Sequence, residues 1–564
     1  MSKENLSAPE FAVLPDTADF LVADTPAFDE YAAKRPWIVI GEKFENGYII
    51  AYTDKTMIPQ IFSDLGGDFL RFTPKLLSPV DSHGNDSAGI TRVLSQPFLD
   101  LTGQGVLIAI IDTGIDITLP ALRYSDGSTR IAGLWDQTMP GSKGVVPFGK
   151  AFEKDELNEI LNSNSAEEEL PGFDADGHGT FLASVAAGNA GDELIGAAPG
   201  CELVCVKLRE ARQYYRRRFL ISDDSAPVYE STELMLGVKY AAELSVRLNK
   251  PLVICIGLAS NTSPHDGSEA LEDYLSYIAG KTGYAVCCAA GNEANARHHT
   301  SGKMTQGGSE SISIRVSKEE TSFGTIIFTE SFDKLGVSMI SPTGEVIDRR
   351  PFESGREYID KLILENTKVT LRFSRDTYSA VWIGLEKATR GIWEIILYGE
   401  SVISGVYHAW LPVTQQAPEG VEFLRPVPEY TVVFPAAAIR CICCGAYSSF
   451  DGSLLVSSSW GPTLLPKTAP DIVSPGVKIG GYYPEGAGIM TGTSVSAAIA
   501  AGAAALLMQW GIVKGNMPDI NGSTVRSLFI GGASRDNGVF YPNNKWGYGR
   551  LDLYGVFEFL RNRG

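Results

Sequence analysis

Three separate stretches of the chain set an aspartate, a histidine and a serine in surroundings suited to proton transfer and nucleophilic attack. Asp112 closes the run G-V-L-I-A-I-I-D-T-G-I-D. A carboxylate there would stand at the carboxyl edge of a buried strand, over the crevice that open α/β sheets use for ligands. Taken alone, an Asp at a strand end reads as readily as a turn former or helix cap. His178 lies in D-A-D-G-H-G-T-F-L-A-S-V-A-A-G, with glycines on both sides and a helical pattern after it; the plain alternative is a helix-start residue bonded to water. Ser494 lies in G-I-M-T-G-T-S-V-S-A-A-I-A-A-G-A-A-A-L-L, a turn opening into an Ala-rich helix. A hydroxyl there sits beside unpaired backbone N–H groups that would stabilise an alkoxide or an anionic intermediate. The plain alternative is a Ser or Thr N-cap.

The segments D-T-G-I-D, D-G-H-G-T and G-T-S-V-S-A occur together and in the order Asp, His, Ser, and in this they resemble the subtilase family of serine endopeptidases. The resemblance implies a triad of Asp112, His178 and Ser494 working by acyl transfer. A fourth segment, Y-A-V-C-C-A-A-G-N-E (284–293), is similar to the family's oxyanion strand and gives that donor role to Asn292, beside the Ser494 backbone N–H. By the same resemblance I-G-L-A-S (256–260) forms one wall of the S1 pocket, so that Gly257, Leu258, Ala259 and Ser260 pair with substrate as an added strand. Further matches are I-G-A-A-P-G (195–200), S-W-G-P (459–462) and D-I-V-S-P-G-V (471–477).

Phe181 follows H-G-T where secreted subtilisins often carry His, and a β-rich stretch follows the oxyanion Asn. Core, N-terminal unit and insertion together resemble the Csp proteases of clostridia, which activate a cortex-lytic zymogen during spore germination. That resemblance implies that residues 37 to about 80 are a prodomain acting as chaperone and inhibitor, that self-cleavage falls near Val80 to Asp86, and that the cut prodomain can stay bound in the cleft. It also implies a protein zymogen as partner and packaging in the spore. No cofactor is required. G-N-A-G-D-E-L (188–194) occupies the place where many subtilases hold calcium, with Asn189 and Asp192 as oxygen ligands in that reading and a solvated turn in the plain one. Two other function classes stay open: a non-catalytic receptor or scaffold, which Csp-like proteins with lost triad residues exemplify, and a carbohydrate-binding role for the insertion, whose plain reading is a brace across the core.

The elements that must position these residues follow from patterning. Short Val/Ile/Cys-rich runs at Val106–Ile111, Glu202–Lys207, Pro251–Leu258, Tyr284–Ala290 and Arg440–Ala446 predict strands buried on both faces. Helical patterns at Gly179–Ala187, Ser231–Asn249, Ser268–Gly280, Ser494–Trp510 and Ser523–Ile530 alternate with them, which predicts an α/β fold built on a doubly wound parallel sheet. From about 300 to 430 the chain reads as short strands with almost no helix, predicting an inserted all-β domain of jelly-roll type. Residues 37–80, with W-I-V-I, G-Y-I-I-A-Y, a helix near Thr56–Leu65 and F-L-R-F-T, predict a small α+β unit, and D-S-H-G-N-D-S-A-G (81–89) an exposed, cleavable connection. Residues 1 to about 35 show no sustained periodicity and are expected to form a mobile tail. The domain expectation is 1–82 for tail and prodomain and 83–564 for the catalytic domain, interrupted at 300–430.

A chain of 564 residues exceeds the size of one hydrophobic core and should hold two or three domains. Its 48 Lys and Arg against 67 Asp and Glu give a net charge of -19, which excludes a general polyanion partner such as nucleic acid. Arg216 to Arg218 form the one basic cluster and read as a solvated face. The eight cysteines lie mostly in strand-like runs and read as small buried side chains, because neighbours such as Cys287 and Cys288 face opposite sides of a sheet and cannot converge on one ion. The N-terminus lacks a basic start and an apolar core, and no run of 18 apolar residues occurs. The expectation is synthesis in a reducing, cytoplasmic compartment without Sec export and without a membrane span.

Overall fold

The computed structural model describes residues 8–14, 16–65, 73–79, 86–141, 146–163, 170–191, 194–223, 225–465 and 467–562. At its centre is an eight-stranded sheet in the order β25 (Ile472–Pro475), β24 (Ile442–Tyr447), β12 (Tyr284–Ala289), β10 (Leu252–Ile256), β5 (Leu107–Asp112), β8 (Glu202–Lys207), β6 (Ile131–Asp136) and β7 (Lys150–Glu153). All neighbours run parallel except β6 and β7. Every residue of β5, L-I-A-I-I-D, is buried, as a strand covered on both faces requires. Strand alternation divides its side chains between two cores. Ile108 and Ile110 join the core that holds the helices His178–Ala187 and Thr493–Met508. Leu107, Ala109 and Ile111 join the core that holds the helices Ser231–Leu248 and Ala270–Ala279. The cysteines follow the same alternation, with Cys287 and Cys444 in the first core and Cys288 and Cys443 in the second. All eight are buried and free.

Residues 8–65 build an antiparallel three-stranded sheet, β1 (Thr17–Ala23), β3 (Tyr48–Asp54) and β2 (Ile38–Lys43), with helices Pro26–Ala33 and Ile58–Asp64. The expected tail before residue 35 is therefore not a tail: it supplies a strand and a helix. T-A-D-F-L-V-A shows no alternation because six of its seven residues are buried, among them Asp19, 1% exposed where Arg212 meets it. Phe44 packs edge-on against Tyr274, with ring centroids 5.0 Å apart, and so seats this unit on the helix Ala270–Ala279. The predicted F-L-R-F-T strand and the Val80–Asp86 cleavage stretch fall almost wholly outside the described residues.

Between His299 and Phe423 eleven antiparallel strands form two sheets with a core of their own. One runs β13 (His299–Lys303), β22 (Val406–Trp410), β15 (Thr321–Glu330), β20 (Tyr378–Ala388), β19 (Lys368–Arg375), β18 (Glu357–Lys361). The other runs β17 (Val346–Arg350), β16 (Lys334–Ile340), β21 (Gly391–Ser401), β14 (Ser309–Val316), β23 (Val421–Phe423). The basic cluster differs from expectation. It lies in the helix Gln213–Phe219, where Arg216 is 3% exposed and bonds the Ser222 carbonyl, while Arg218 faces Glu357 of the insertion at 3.7 Å. Two of the three arginines are thus structural, and only Arg217 is a solvated face.

Candidate active site

Asp112 is the last residue of β5, and the turn after it is tied to the His178 helix through one buried carboxylate. Asp174 Oδ1 accepts from Thr113 Oγ1 (2.7 Å) and the Gly177 N–H (2.9 Å), and Oδ2 from the Thr180 N–H (2.8 Å) and Oγ1 (2.7 Å). Thr113 Oγ1 accepts in turn from the Gly179 N–H at 2.9 Å. Gly177 has φ +84°, in the left-handed region that glycine enters without a Cβ penalty. The helix then begins on His178, whose Nδ1 lies 2.7 Å from Asp112 Oδ1 and whose Nε2 lies 3.2 Å from Ser494 Oγ. A carboxylate only accepts, so Nδ1 carries the proton and Nε2 is the acceptor for the serine hydroxyl.

Ser494 is the second residue of the helix Thr493–Met508, so its N–H has no acceptor within the helix. Thr493 aligns this terminus with the end of β12: its Oγ1 accepts from the Gly291 N–H at 3.0 Å, and its N–H donates to Asn292 Oδ1 at 3.1 Å. With the amide oxygen engaged, Asn292 Nδ2 is the end left to donate. Gly257 is needed for space, because a Cβ there would meet His178 Cε1 and Ser494 Cβ, each at 2.9 Å.

The predicted wall residues form an edge, and the chain's own N-terminal segment lies on it. Strand β4 (Leu76–Pro79) is antiparallel to β11 (Leu258–Ala259), with Pro79 opposite Leu258 and Ser78 opposite Ala259. On its other side Leu76 and Leu77 pair with Glu230 and Tyr229 of β9 (Tyr229–Glu230). Ser260 and Phe434 exchange two backbone bonds of 3.0 Å that brace the wall from behind. Lys75 anchors the segment: its N–H donates to Ser231 Oγ at 2.9 Å and its ammonium lies 3.2 Å from Glu269. Under this cover Asp112, His178 and Ser494 are 1%, 2% and 0% exposed.

The structure thus brings Asp112, His178, Ser494 and Asn292 together and sets Gly257 to Ser260 along the same cleft. It adds Asp174 and Thr113, which the sequence reading passed over; the signal was an Asp four residues before His178, where its oxygens reach the N–H groups of the helix's first turn. It also adds Glu293. This carboxylate is 3% exposed and takes bonds from the Thr414 N–H and Oγ1, both at 2.9 Å, and lies 2.8 Å from His298 Nδ1. The residue after Asn292 is therefore held from both ends of the insertion. Phe181 packs against Tyr483 at 4.8 Å. Of the two calcium candidates, Asn189 turns its side-chain oxygen to the Gly191 N–H at 3.4 Å, and Asp192 lies outside the described residues. No group of three or more His, Cys, Asp or Glu that could hold a metal occurs among the described residues. One helix, Thr493–Val513, is long and apolar enough to cross a membrane, but 89% of its apolar window is buried in the protein, where it carries Ser494.

Comparison with known proteins agrees with this geometry. In sequence, the chain is 25% identical over 286 residues to the PI-type proteinase of Lactococcus lactis subsp. cremoris, covering 47% of this chain and 13% of that protein. It is 34% identical over 110 residues to the subtilisin-like protease SBT2.1 of Arabidopsis thaliana, covering 17% of this chain and 13% of that one. Each of these relatives is thus far longer than the segment matched. In structure, the CspB protease of Clostridium perfringens superposes with a TM-score of 0.75 at 29% identity, over 85% of this chain and 99% of that one. The Subtilase family pattern matches residues 103–409 and 424–549, which is most of the chain. The chain belongs to the subtilase family and carries the constellation of a serine endopeptidase.

Proposed function

We propose that this protein is a serine endopeptidase that cuts its own chain just after β4 and keeps the released N-terminal unit as an inhibitor in its cleft. In the reaction the Ser494 hydroxyl attacks the scissile carbonyl while His178 Nε2 takes its proton. The amide C–N bond breaks as His178 passes that proton to the leaving amine, and water then hydrolyses the ester on Ser494. Asp112 holds the His178 tautomer and stabilises the imidazolium. Asn292 Nδ2 and the Ser494 N–H, at a helix terminus, receive the oxyanion. The N-terminal unit with β4 is the prodomain in this reading, and the two-sheet insertion is the jelly-roll element that braces the core.

The observation that carries the reading is the register of β4 on β11. Pro79, the last described residue of β4, lies opposite Leu258, one residue from Gly257, the position beside Ser494, so β4 directs the chain toward the nucleophile. The proposed scissile bond is therefore Val80–Asp81. The resemblance to the Csp proteases extends the proposal to an external substrate, a cortex-hydrolase zymogen acted on in spore germination. Intact-mass and N-terminal analysis of the purified protein tests self-cleavage: wild type should yield a chain beginning at Asp81, and Ser494→Ala should stay uncut. A wild-type chain that remains whole and does not react with a fluorophosphonate would overturn the proposal.

A further inference from the structure

Three of the six histidines gather on one tryptophan where the insertion meets the core. His265, His299 and His408 lie 4.4, 4.9 and 5.5 Å from the Trp410 ring. Hydrogen-bond chemistry fixes where the protons of two of them are. His299 Nδ1 is 2.9 Å from the Val427 carbonyl oxygen, which only accepts, so Nδ1 bears the proton and Nε2 is a lone pair. That Nε2 is 3.1 Å from His408 Nδ1, which must then be the donor. His408 Nε2 is left as a second lone pair, with no partner among the described residues.

His408 is only 6% exposed, yet it lines an open cleft of about 290 Å³. Phe328, Tyr378, Tyr430 and Leu464 form the apolar walls, Glu330 contributes a carboxylate, and no Lys or Arg is among its described lining residues. A neighbouring cleft of about 280 Å³ shares Phe328 and Tyr378 and is lined by Asp376 and by Glu269, which Lys75 pairs at 3.2 Å, with no Lys or Arg among its described lining residues. An anion would meet a lone pair and carboxylates there. A cation bearing N–H groups finds an acceptor, aromatic faces whose quadrupole attracts positive charge, and a compensating carboxylate. At roughly 30 Å³ per water-sized group the first cleft has room for about ten such groups, the size of a short alkylamine or a lysine side chain.

We propose that this cleft binds an organic ammonium ion, with His408 Nε2 accepting from its N–H and Phe328, Tyr378 and Tyr430 enclosing its alkyl body. The site joins β15, β20 and β22 of the insertion to the 462–464 segment of the core. Tyr430 also opens the segment whose Val433 N–H bonds the Ala290 carbonyl and whose Phe434 pairs with Ser260. An occupant therefore sits one short segment from both the oxyanion strand and the substrate wall. The inference stands on the cleft alone and does not depend on proteolytic activity.

Calorimetric titration of the full chain with n-butylammonium chloride tests it, against sodium butanoate at equal ionic strength. One saturable site for the ammonium, and none for the butanoate, is expected. Tetramethylammonium, which has no N–H, should bind about tenfold more weakly, the loss that one charge-assisted hydrogen bond implies. His408→Phe keeps the stacking but removes the lone pair and should cost about the same. Glu330→Gln, at an exposed position that leaves folding intact, should weaken binding about two- to fivefold. Absence of saturable ammonium binding, equal binding of butanoate, or wild-type affinity in both variants would overturn the assignment; should His408→Phe fail to fold, the tetramethylammonium comparison on wild type decides in its place.

Discussion

Asn292 has its amide oxygen fixed by the Thr493 N–H, so in the proposed reaction its donor end would be pre-aimed and need no reorganisation. Asn292→Ala should lower kcat by about 10²–10³ with little change in KM, the range known for removing the equivalent amide donor in subtilisin; steady-state kinetics on a peptide substrate would show it, and an equal rise in KM with kcat intact would contradict the role. Its neighbour Glu293 acts differently, because it touches nothing that reacts. Glu293→Ala leaves the Thr414 N–H, the Thr414 hydroxyl and His298 Nδ1 without their shared acceptor, at a cost of about 1–3 kcal/mol for buried groups left unpaired. The expected result is a urea midpoint lowered accordingly and a kcat reduced without a matching change in KM, with partial rescue by Glu293→Gln, which keeps one acceptor oxygen. The four residues of the site were legible because each sits in a short motif whose neighbours are fixed by local backbone needs: the glycines around His178, the turn before Ser494, the strand before Asp112. Asp174 and Glu293 were not: Asp174 is bonded locally by Gly177 and Thr180, but its tie to Thr113 crosses 61 residues, and Glu293 is held by Thr414, 121 residues on. Nothing in G-N-E announces a bond to Thr414.

At the level of elements, the N-terminal sheet is held to the core by ions as well as by apolar contact. Arg212 bonds both Asp19 of β1 and Glu230 of β9, and Arg209 bonds Glu233 and, at 2.6 Å, the Ala12 carbonyl. Burial pushes the Glu230 carboxyl well up from its usual range; burial pushes on Asp19 too, but there the Arg212 and Arg209 guanidinium groups together with hydrogen bonds from Glu230 and Thr232 outweigh it and hold the carboxyl low. Arg212 and Arg209 thus face the carboxyl groups of Asp19, Glu230 and Glu233. Removing one side of such a buried network costs about 3–5 kcal/mol, since the remaining charge has no water to turn to. Arg212→Met should destabilise the seating of residues 8–65 by that amount, read as dissociation of the N-terminal unit in size-exclusion chromatography at urea concentrations the wild type tolerates. Loss of the exposed Lys34–Glu30 pair should leave the elution unchanged. The same network explains where reading from sequence stopped. β5, β8, β10 and β12 were legible as unbroken apolar runs, and the insertion as closely spaced strands. β1 was not, because it is a short run buried on both faces, without alternation, and carries the buried charge of Asp19. β6, I-A-G-L-W-D, was missed for a related reason: Gly133 interrupts it where Tyr240 and Leu244 leave no space for a Cβ.

For the whole molecule, acid is the condition that separates the forces holding insertion and core together. His265, His299 and His408 are pulled down by burial to about 4, about 3 and about 4 from an ordinary 6.5, with mutual repulsion adding to the effect for His299 and His408; Asp266 and Glu293 face His265 and oppose it only weakly. Because the folded values lie below the unfolded one, the unfolded chain binds more protons between pH 6.5 and 4, so stability is complete above pH 6.5 and falls as the pH drops through that window. Each histidine accounts for roughly 2 kcal/mol between pH 7.5 and 5. The net charge of -19 works the other way, since a modest gain of protons relieves self-repulsion, but most carboxylates are still ionised at pH 5 and that relief is small. Urea denaturation should therefore show a clearly lower midpoint at pH 5 than at pH 7.5. His299→Asn, which can still donate to the Val427 carbonyl but cannot take up a proton, should recover about a third of the difference whatever its effect on stability at pH 7.5. A pH dependence unchanged in that variant would mean that the acid sensitivity arises from groups other than the Trp410 stack.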